Sequence, residues 1–173
     1  MRHVLCDGRT RTHLEIHGAH FMNDGPEEHA DLLPLLEHAR GRVLILGLGL
    51  GLELAELLPL PAVERVVVVE VFRDVIDLIG PRWASPKLEI LEGNAFSYEP
   101  AGLFDAIWID IWATVAGSYW PEVVRLRARY ERFLAPGGWL GVWRGEAIRE
   151  NARCEACGAL EPSVTGTCAK CST

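Results

Sequence analysis

The segment Val43-Leu44-Ile45-Leu46-Gly47-Leu48-Gly49-Leu50-Gly51 constrains this chain more than any other. Its opening apolar run reads as a strand buried on both faces. Glycines at alternate positions then turn the backbone sharply into a helix. Glycine suits that turn because a Cβ resists positive φ and keeps a ligand away from the backbone amides. A second apolar run, Val66-Val67-Val68-Val69, ends in Glu70. A glycine turn after one strand and an acid at the tip of the next form a nucleoside site, in which the acid takes the ribose hydroxyls.

The same alternation runs through the rest of the chain. Patterning predicts strands over 43–47, 66–70, 88–92, 105–110 and 139–143, and helices over 51–58, 72–79 and 121–134. Short apolar strands alternating with helices imply a parallel sheet covered on both faces. Pro136-Gly137-Gly138 ends the last helix and returns the chain to a final strand. Before the first parallel strand, residues 3–22 read as a β-hairpin, with Asp7-Gly8 as the turn and Thr10, Thr12, Leu14 and Ile16 alternating with polar partners. Asp24-Gly25-Pro26 then opens a helix that Pro34 breaks before Leu35.

Length and charge bound the function. A chain of 173 residues suits one domain with a small appendage. The net charge of −7 argues against broad binding to duplex DNA or to an anionic membrane. The N-terminus lacks the apolar centre of a signal peptide, and glycines interrupt the best apolar run, so a cytoplasmic protein with no membrane span is expected.

The glycine spacing separates two cofactor classes. A dinucleotide site of the form G-x-G-x-x-G needs glycine at position 52, where this chain has Leu52. The form present, G-x-G-x-G, is typical of S-adenosylmethionine (SAM) sites. The succession V-L-I-L-G-L-G-L-G, V-V-V-V-E-V-F-R-D-V-I-D-L, L-E-I-L-E-G-N-A-F, F-D-A-I-W-I-D and F-L-A-P-G-G-W resembles class I SAM-dependent methyltransferases. Within that fold it is most similar to the spermidine-synthase-like branch, which has an apolar residue at the position of Ile45. The passage L-L-P-L-L-E-H-A-R-G-R-V-L-I-L-G and the preceding hairpin carry the same likeness, which covers about residues 10–145.

The resemblance implies a truncated Rossmann-like α/β domain, placed over 24–147 behind a hairpin over 1–23, and a composition shift after about Ala147 marks off a tail over 148–173. The resemblance also implies SAM as cofactor, with Gly47, Gly49 and Gly51 lining its methionine and ribose and Glu70 on the ribose hydroxyls. Asn94-Ala95 stands where the family faces the adenine amino group, and Asp110 where it places its reaction-centre acid. The chain departs from spermidine synthases in three places. Leu50 replaces an acid in the glycine loop, Pro26-Glu27-Glu28 replaces Tyr-His-Glu, and Ile111-Trp112-Ala113 follows the strand-four acid. Methyl transfer to a small-molecule or protein acceptor is therefore the leading expectation. Aminopropyl transfer from decarboxylated SAM, and a non-catalytic module that docks a partner, are the alternatives.

Methyl transfer from a sulfonium asks little of the protein beyond in-line alignment and, for some acceptors, removal of a proton. Asp110 is the candidate for that role because ligands of open α/β sheets bind outside the carboxyl ends of the strands. Trp108, Trp112, Tyr119 and Trp120 cluster around it as packing or as a cage for a flat or cationic acceptor. Trp139 and Trp143 read as packing. His17, His20 and His29 flank the entrance to the fold and read as surface histidines, with His20 and Glu28 as further acceptor-site candidates.

The tail carries Cys154-x-x-Cys157-Gly158 and Cys168-x-x-Cys171. Two such knuckles place four thiolates around one tetrahedral ion, zinc first and a rubredoxin-like iron second. Four cysteine ligands make a closed, structural site whose metal supplies the folding energy of a segment too short to build a core. Arg149, Arg153 and Lys170 leave nucleic acid or a protein partner open to the tail alone. The alternative is a clip over the sheet edge. That edge and the tryptophans also make a homodimer an expectation.

Overall fold

The computed structural model describes residues 2–6, 9–16, 18–154 and 157–160. Strand β4 (Gly41–Leu46) forms the middle of a five-stranded sheet with β5 (Val63–Glu70), β6 (Leu88–Glu92), β7 (Phe104–Ile109) and β8 (Leu134–Val142), in the order β6-β5-β4-β7-β8. Every pairing in it is parallel. The direction of winding reverses at β4, which carries the glycine turn at its carboxyl end. That is the topological switch point at which open α/β sheets bind ligands.

Alternation along the strands sends side chains to two separate cores. Val43, Ile45, Val66, Val68, Ala106 and Trp108 face α2 (Leu33–His38), α3 (Leu52–Leu57) and α4 (Arg73–Ile79), through Leu35, Leu54, Leu57, Val75 and Ile79. Leu44, Leu46, Val67, Val69, Ile107 and Ile109 face α5 (Trp120–Tyr130) and α6 (Gly145–Asn151), through Val123, Leu126, Tyr130 and Ile148. Both faces are covered, as the near-continuous apolar strands require. Among the described residues no helix is long and apolar enough to cross a membrane.

The N-terminal hairpin carries a third strand. β1 (Arg2–Cys6) pairs antiparallel with β2 (Arg9–Ile16), and β2 pairs with β3 (Ala19–Asn23) through Gly18, which has φ +79°. The Asp7-Gly8 turn predicted from sequence lies outside the described residues. The break near Pro34 falls at Leu32, between α1 (Pro26–Asp31) and α2, so that Pro34 sits in the first turn of the second helix.

The carboxyl half departs from expectation at three points, one being α6, a helix that patterning did not predict. The helix predicted over 121–134 ends at Tyr130 and tightens into a 3₁₀ turn over Glu131–Phe133. Pro136-Gly137-Gly138 lies inside β8 rather than before it. A register shift between Phe104 and Ala106 absorbs these residues, with Gly137 at φ +75°. β8 borders the sheet, where a residue without an N–H is tolerated.

Candidate active site

Gly47, Gly49 and Gly51 have φ of +102°, +50° and +75°, so the backbone visits the left-handed region at all three. The neighbours are as restrictive as the dihedrals. A Cβ on Gly47 would overlap the Asp110 carbonyl oxygen, one on Gly49 the Met22 sulfur, and one on Gly51 the Trp83 indole nitrogen. The turn is therefore packed between β3 on one side and the end of β7 on the other. The Leu50 N–H reaches the Met22 sulfur at 3.2 Å, which ties the N-terminal sheet to the loop.

A cavity of ≈ 370 Å³ opens at this end of the sheet. Gly47, Gly49, Glu70, Asn94, Ala95 and Asp110 all line it, so the structure brings together six residues predicted from distant parts of the sequence. Gly51 does not reach it; it caps α3 beside Trp83.

Glu70 is buried, yet both its oxygens are occupied by backbone. Oε2 accepts the Leu48 N–H and Oε1 accepts the Phe72 N–H, each at 2.8 Å. An ionised carboxylate has about four acceptor positions, so two remain for vicinal hydroxyls. Asn94 Oδ1 accepts the Phe96 N–H at 2.8 Å, and the Asn94 carbonyl accepts from Tyr98, which fixes a turn over 94–98. Behind it the Tyr130 hydroxyl donates to the Ala95 carbonyl at 2.7 Å, and burial pushes its pKa up to about 12. Val69, Val71, Phe72 and Phe96 complete an apolar slot between Glu70 and this turn.

The opposite end of the cavity is acidic. Asp110 follows β7, held in place as its N–H donates to the Leu46 carbonyl at 2.8 Å. Its carboxyl lies against Glu53 of α3, a residue that sequence patterning did not single out. Part of the Asp110 surface opens to the cavity, while protein packed all round the carboxyl desolvates it. Burial, then the Glu53 charge and hydrogen bond, then the Glu28 charge, push Asp110 well above the ordinary carboxylate range. Burial also raises Glu53, offset in part by its own backbone N–H and by Asp110. Two carboxyls this close disfavour carrying two charges at once, and the penalty falls mainly on Asp110. The nearby Trp108 indole favours the charged form of Asp110, but its Nε1 makes no hydrogen bond of good geometry.

Glu28 of α1 is raised by burial and by the neighbouring Asp31 charge. Glu122 of α5 accepts the Trp112 indole N–H at 2.9 Å. Glu28, Glu53, Glu70, Asp110 and Glu122 all line the cavity, and no lysine, arginine or histidine among the described residues does.

The aromatics divide. Trp112, Tyr119 and Trp143 line the cavity. Trp108 is core, stacked on Trp139 with ring centres 5.9 Å apart, and Trp139 stacks in turn on His38 at 4.4 Å. Trp143, expected as packing alone, is buried and also forms cavity wall. His29 approaches Glu56 at 3.4 Å, and His20 is exposed, edge-on to His13. His17 lies outside the described residues.

The tail is described as far as the first cysteine pair. The Cys154 N–H donates to the Ala159 carbonyl and the Gly158 N–H to the Cys154 carbonyl, each at 2.8 Å. Gly158 has φ +71°, and Arg153 bridges Leu160 in antiparallel fashion. Cys168 and Cys171 lie outside the described residues.

Solved methyltransferases share this fold. The DhpI–SAM–HEP complex is 24% identical with a TM-score of 0.52, over 67% of this chain and 53% of that one. The CcbJ methyltransferase from Streptomyces caelestis is 23% identical with a TM-score of 0.52, over 65% and 46%. The N-methyltransferase NodS from Bradyrhizobium japonicum WM9, solved with S-adenosyl-L-homocysteine (SAH), is 23% identical with a TM-score of 0.50, over 69% and 62%. The chain spans about half the length of the first of these. No family model matches the sequence, and no curated protein matches it significantly. The fold is that of SAM-dependent methyltransferases.

Proposed function

We propose that this protein transfers a methyl group from SAM to a small-molecule or protein acceptor in the cavity beside the glycine turn. The observation that carries the reading is the position of Glu70. Leu48 and Phe72 anchor its carboxylate at the tip of β5, with acceptor positions left over, at the edge of the apolar slot of a cavity of ≈ 370 Å³. The residues fit the cofactor: Gly47 and Gly49 present backbone without side chains, Glu70 suits ribose, and the turn at Asn94-Ala95 closes the adenine end. When bound, the cofactor supplies an electrophilic methyl group on sulfur. The chain's part is to align the acceptor on that carbon and exclude water with Trp112, Tyr119 and Trp143. For acceptors that lose a proton, Asp110 takes it once that carboxyl is ionised, its raised proton affinity then suiting a base.

A second reading, aminopropyl transfer from decarboxylated SAM, is favoured by one observation. The cavity lining has five carboxylates and, among the described residues, no cationic side chain to meet the carboxylate of SAM. In the tail we propose a structural zinc or iron held by Cys154, Cys157, Cys168 and Cys171. The tight turn at Gly158, with two backbone hydrogen bonds around Cys154, supports it.

Calorimetry with SAM, its decarboxylated form and NAD tests the nucleoside site. Tightest binding of SAM supports methyl transfer, and tightest binding of the decarboxylated form supports the second reading. Preference for NAD, or no binding of any of the three, overturns both.

A further inference from the structure

We propose that the open border of the sheet carries a second ligand site, for a small aromatic carboxylate. Arg127, Arg144 and Arg149 take the carboxylate, and tryptophans take the ring. The site shares no lining residue with the cavity beside the glycine turn, so it stands whether or not that cavity takes SAM.

The site begins as an unpaired strand border. Among the described residues β8 pairs with β7 alone. The Trp143 N–H donates to the Ile109 carbonyl at 2.9 Å, which turns Trp143 and Gly141 toward β7 and leaves the Leu140 and Val142 N–H groups facing outward. Along this border lies a cavity of ≈ 690 Å³, walled by residues of α1 and α2 and by residues of α5 and α6. A side chain at Gly141 would overlap the Trp139 ring, so its absence lets Trp139 lie against the strand. Trp108 and Trp120 complete the apolar wall.

Charge sets this cavity apart. Three arginines and two acids, Asp31 and Glu146, line it, an excess of one positive charge in a chain of net charge −7. The arginines are loosely held. Arg144 meets Asp31, Arg149 meets Glu146 and Arg127 meets the Leu140 carbonyl, each at 3.5 Å, whereas Arg132 holds Glu99 at 2.8 Å. Exposed pairs this long stabilise little. A carboxylate that accepts short, charge-assisted bonds from planar guanidinium groups displaces them.

Arg144 bears a second mark, independent of charge. It is the only non-glycine residue with positive φ among the described residues, at +45°. A side chain strains left-handed backbone, and such strain gathers where a residue is positioned for a ligand.

These features select the ligand. One excess positive charge matches a monoanion, while a cation is repelled. Among the described residues no three acidic, histidine or cysteine side chains are spaced to hold a metal ion. The tryptophan wall favours a flat apolar body, and guanidinium groups lie well on aromatic rings.

The test titrates the full chain with indole-3-acetate, indole-3-acetamide, tryptamine and acetate, following amide NMR signals at pH 7. Indole-3-acetate is expected to bind at least about tenfold tighter than its amide, with tryptamine and acetate weaker still. It should move the Leu140 and Val142 signals. Arg144→Gly should erase the preference without lowering Tm, because glycine takes positive φ freely. Arg127→Gln should reduce the preference. The proposal is overturned if indole-3-acetate does not bind, if its amide binds equally, or if the preference survives both substitutions. Shifts confined to the glycine turn and Glu70 overturn it as well. A lower Tm in Arg144→Gly counts against strain at that residue, and Arg127→Gln then decides.

Discussion

Glu70 Oε2 accepts the Leu48 N–H at 2.8 Å, so the acid at the tip of one strand pins the glycine turn at the tip of its neighbour. The residue expected to hold ribose is thus also part of the scaffold that shapes the turn. Glu70→Ala removes the acceptor for two backbone N–H groups, each worth roughly 1–3 kcal/mol when left buried and unsatisfied. Loss of SAH affinity together with a lower Tm is expected, read by calorimetry and thermal melting. Glu70→Gln keeps one carbonyl acceptor and should fall between. A variant as stable as the parent would remove the scaffold role.

The three positive-φ glycines of the turn differ from Gly137, which has φ +75° but open space where a Cβ would stand, with no atom within 4 Å. Gly137→Ala meets backbone strain alone, about 1–2 kcal/mol. Gly47→Ala meets the same strain and a collision with the Asp110 carbonyl, which cannot move without breaking its place after β7. Denaturant unfolding should show the Gly47 variant losing clearly more stability than the Gly137 variant. Equal losses would mean that the turn relaxes.

The Glu53–Asp110 pair gives stability a particular pH dependence. Both carboxyls have folded-state values above their unfolded ones, so the native protein binds protons that the unfolded chain has released. Their contribution is fullest below the ordinary carboxylate pKa, about 4, and is lost as pH rises through the raised values. Asp110→Asn removes the pair's charge conflict. The stability difference, variant minus wild type, should therefore grow in the variant's favour as pH rises from the ordinary carboxylate value of about 4 to neutrality, measured by urea unfolding. A difference that is flat across this interval sinks the raised values of the pair.

For the tail, elemental analysis of unchelated protein should find about one zinc or iron per chain, as a four-cysteine site requires. Cys154→Ser should lower that content. Metal-free wild-type protein purified without chelator would end the proposal.

Much of the fold was legible because its signals are local. Apolar runs fixed the five parallel strands, and the glycine spacing marked the turn at the end of β4. Glu70 stood out because the acid sits at a strand tip, where burial on both faces ends. Glu53 did not stand out, because an acid in the first turn of a helix is ordinary in sequence. Its meaning arises only when β7 brings Asp110 beside it. The same holds for Gly47, whose crowding comes from a carbonyl far along the chain, and for the Trp108–Trp139–His38 stack. Pro136-Gly137-Gly138 misled because a bulge at a sheet border lets such a triplet stay in a strand. Gly18 carries no hairpin dipeptide signal like Asp7-Gly8, so the third strand of the N-terminal sheet was not told apart from the second.

That N-terminal sheet has a consequence of its own. Leu14, Ile16, Phe21 and Met22 roof the cavity, whereas the groups expected to grip the nucleoside all come from position 47 onward. The roof of the cavity is thus written in a different stretch of the chain from the groups expected to grip the nucleoside. On the proposed function, a graft that replaces residues before β4 would reshape the roof over the acceptor while keeping every group expected to grip the nucleoside. The Met22–Leu50 contact is the seam such a graft must preserve.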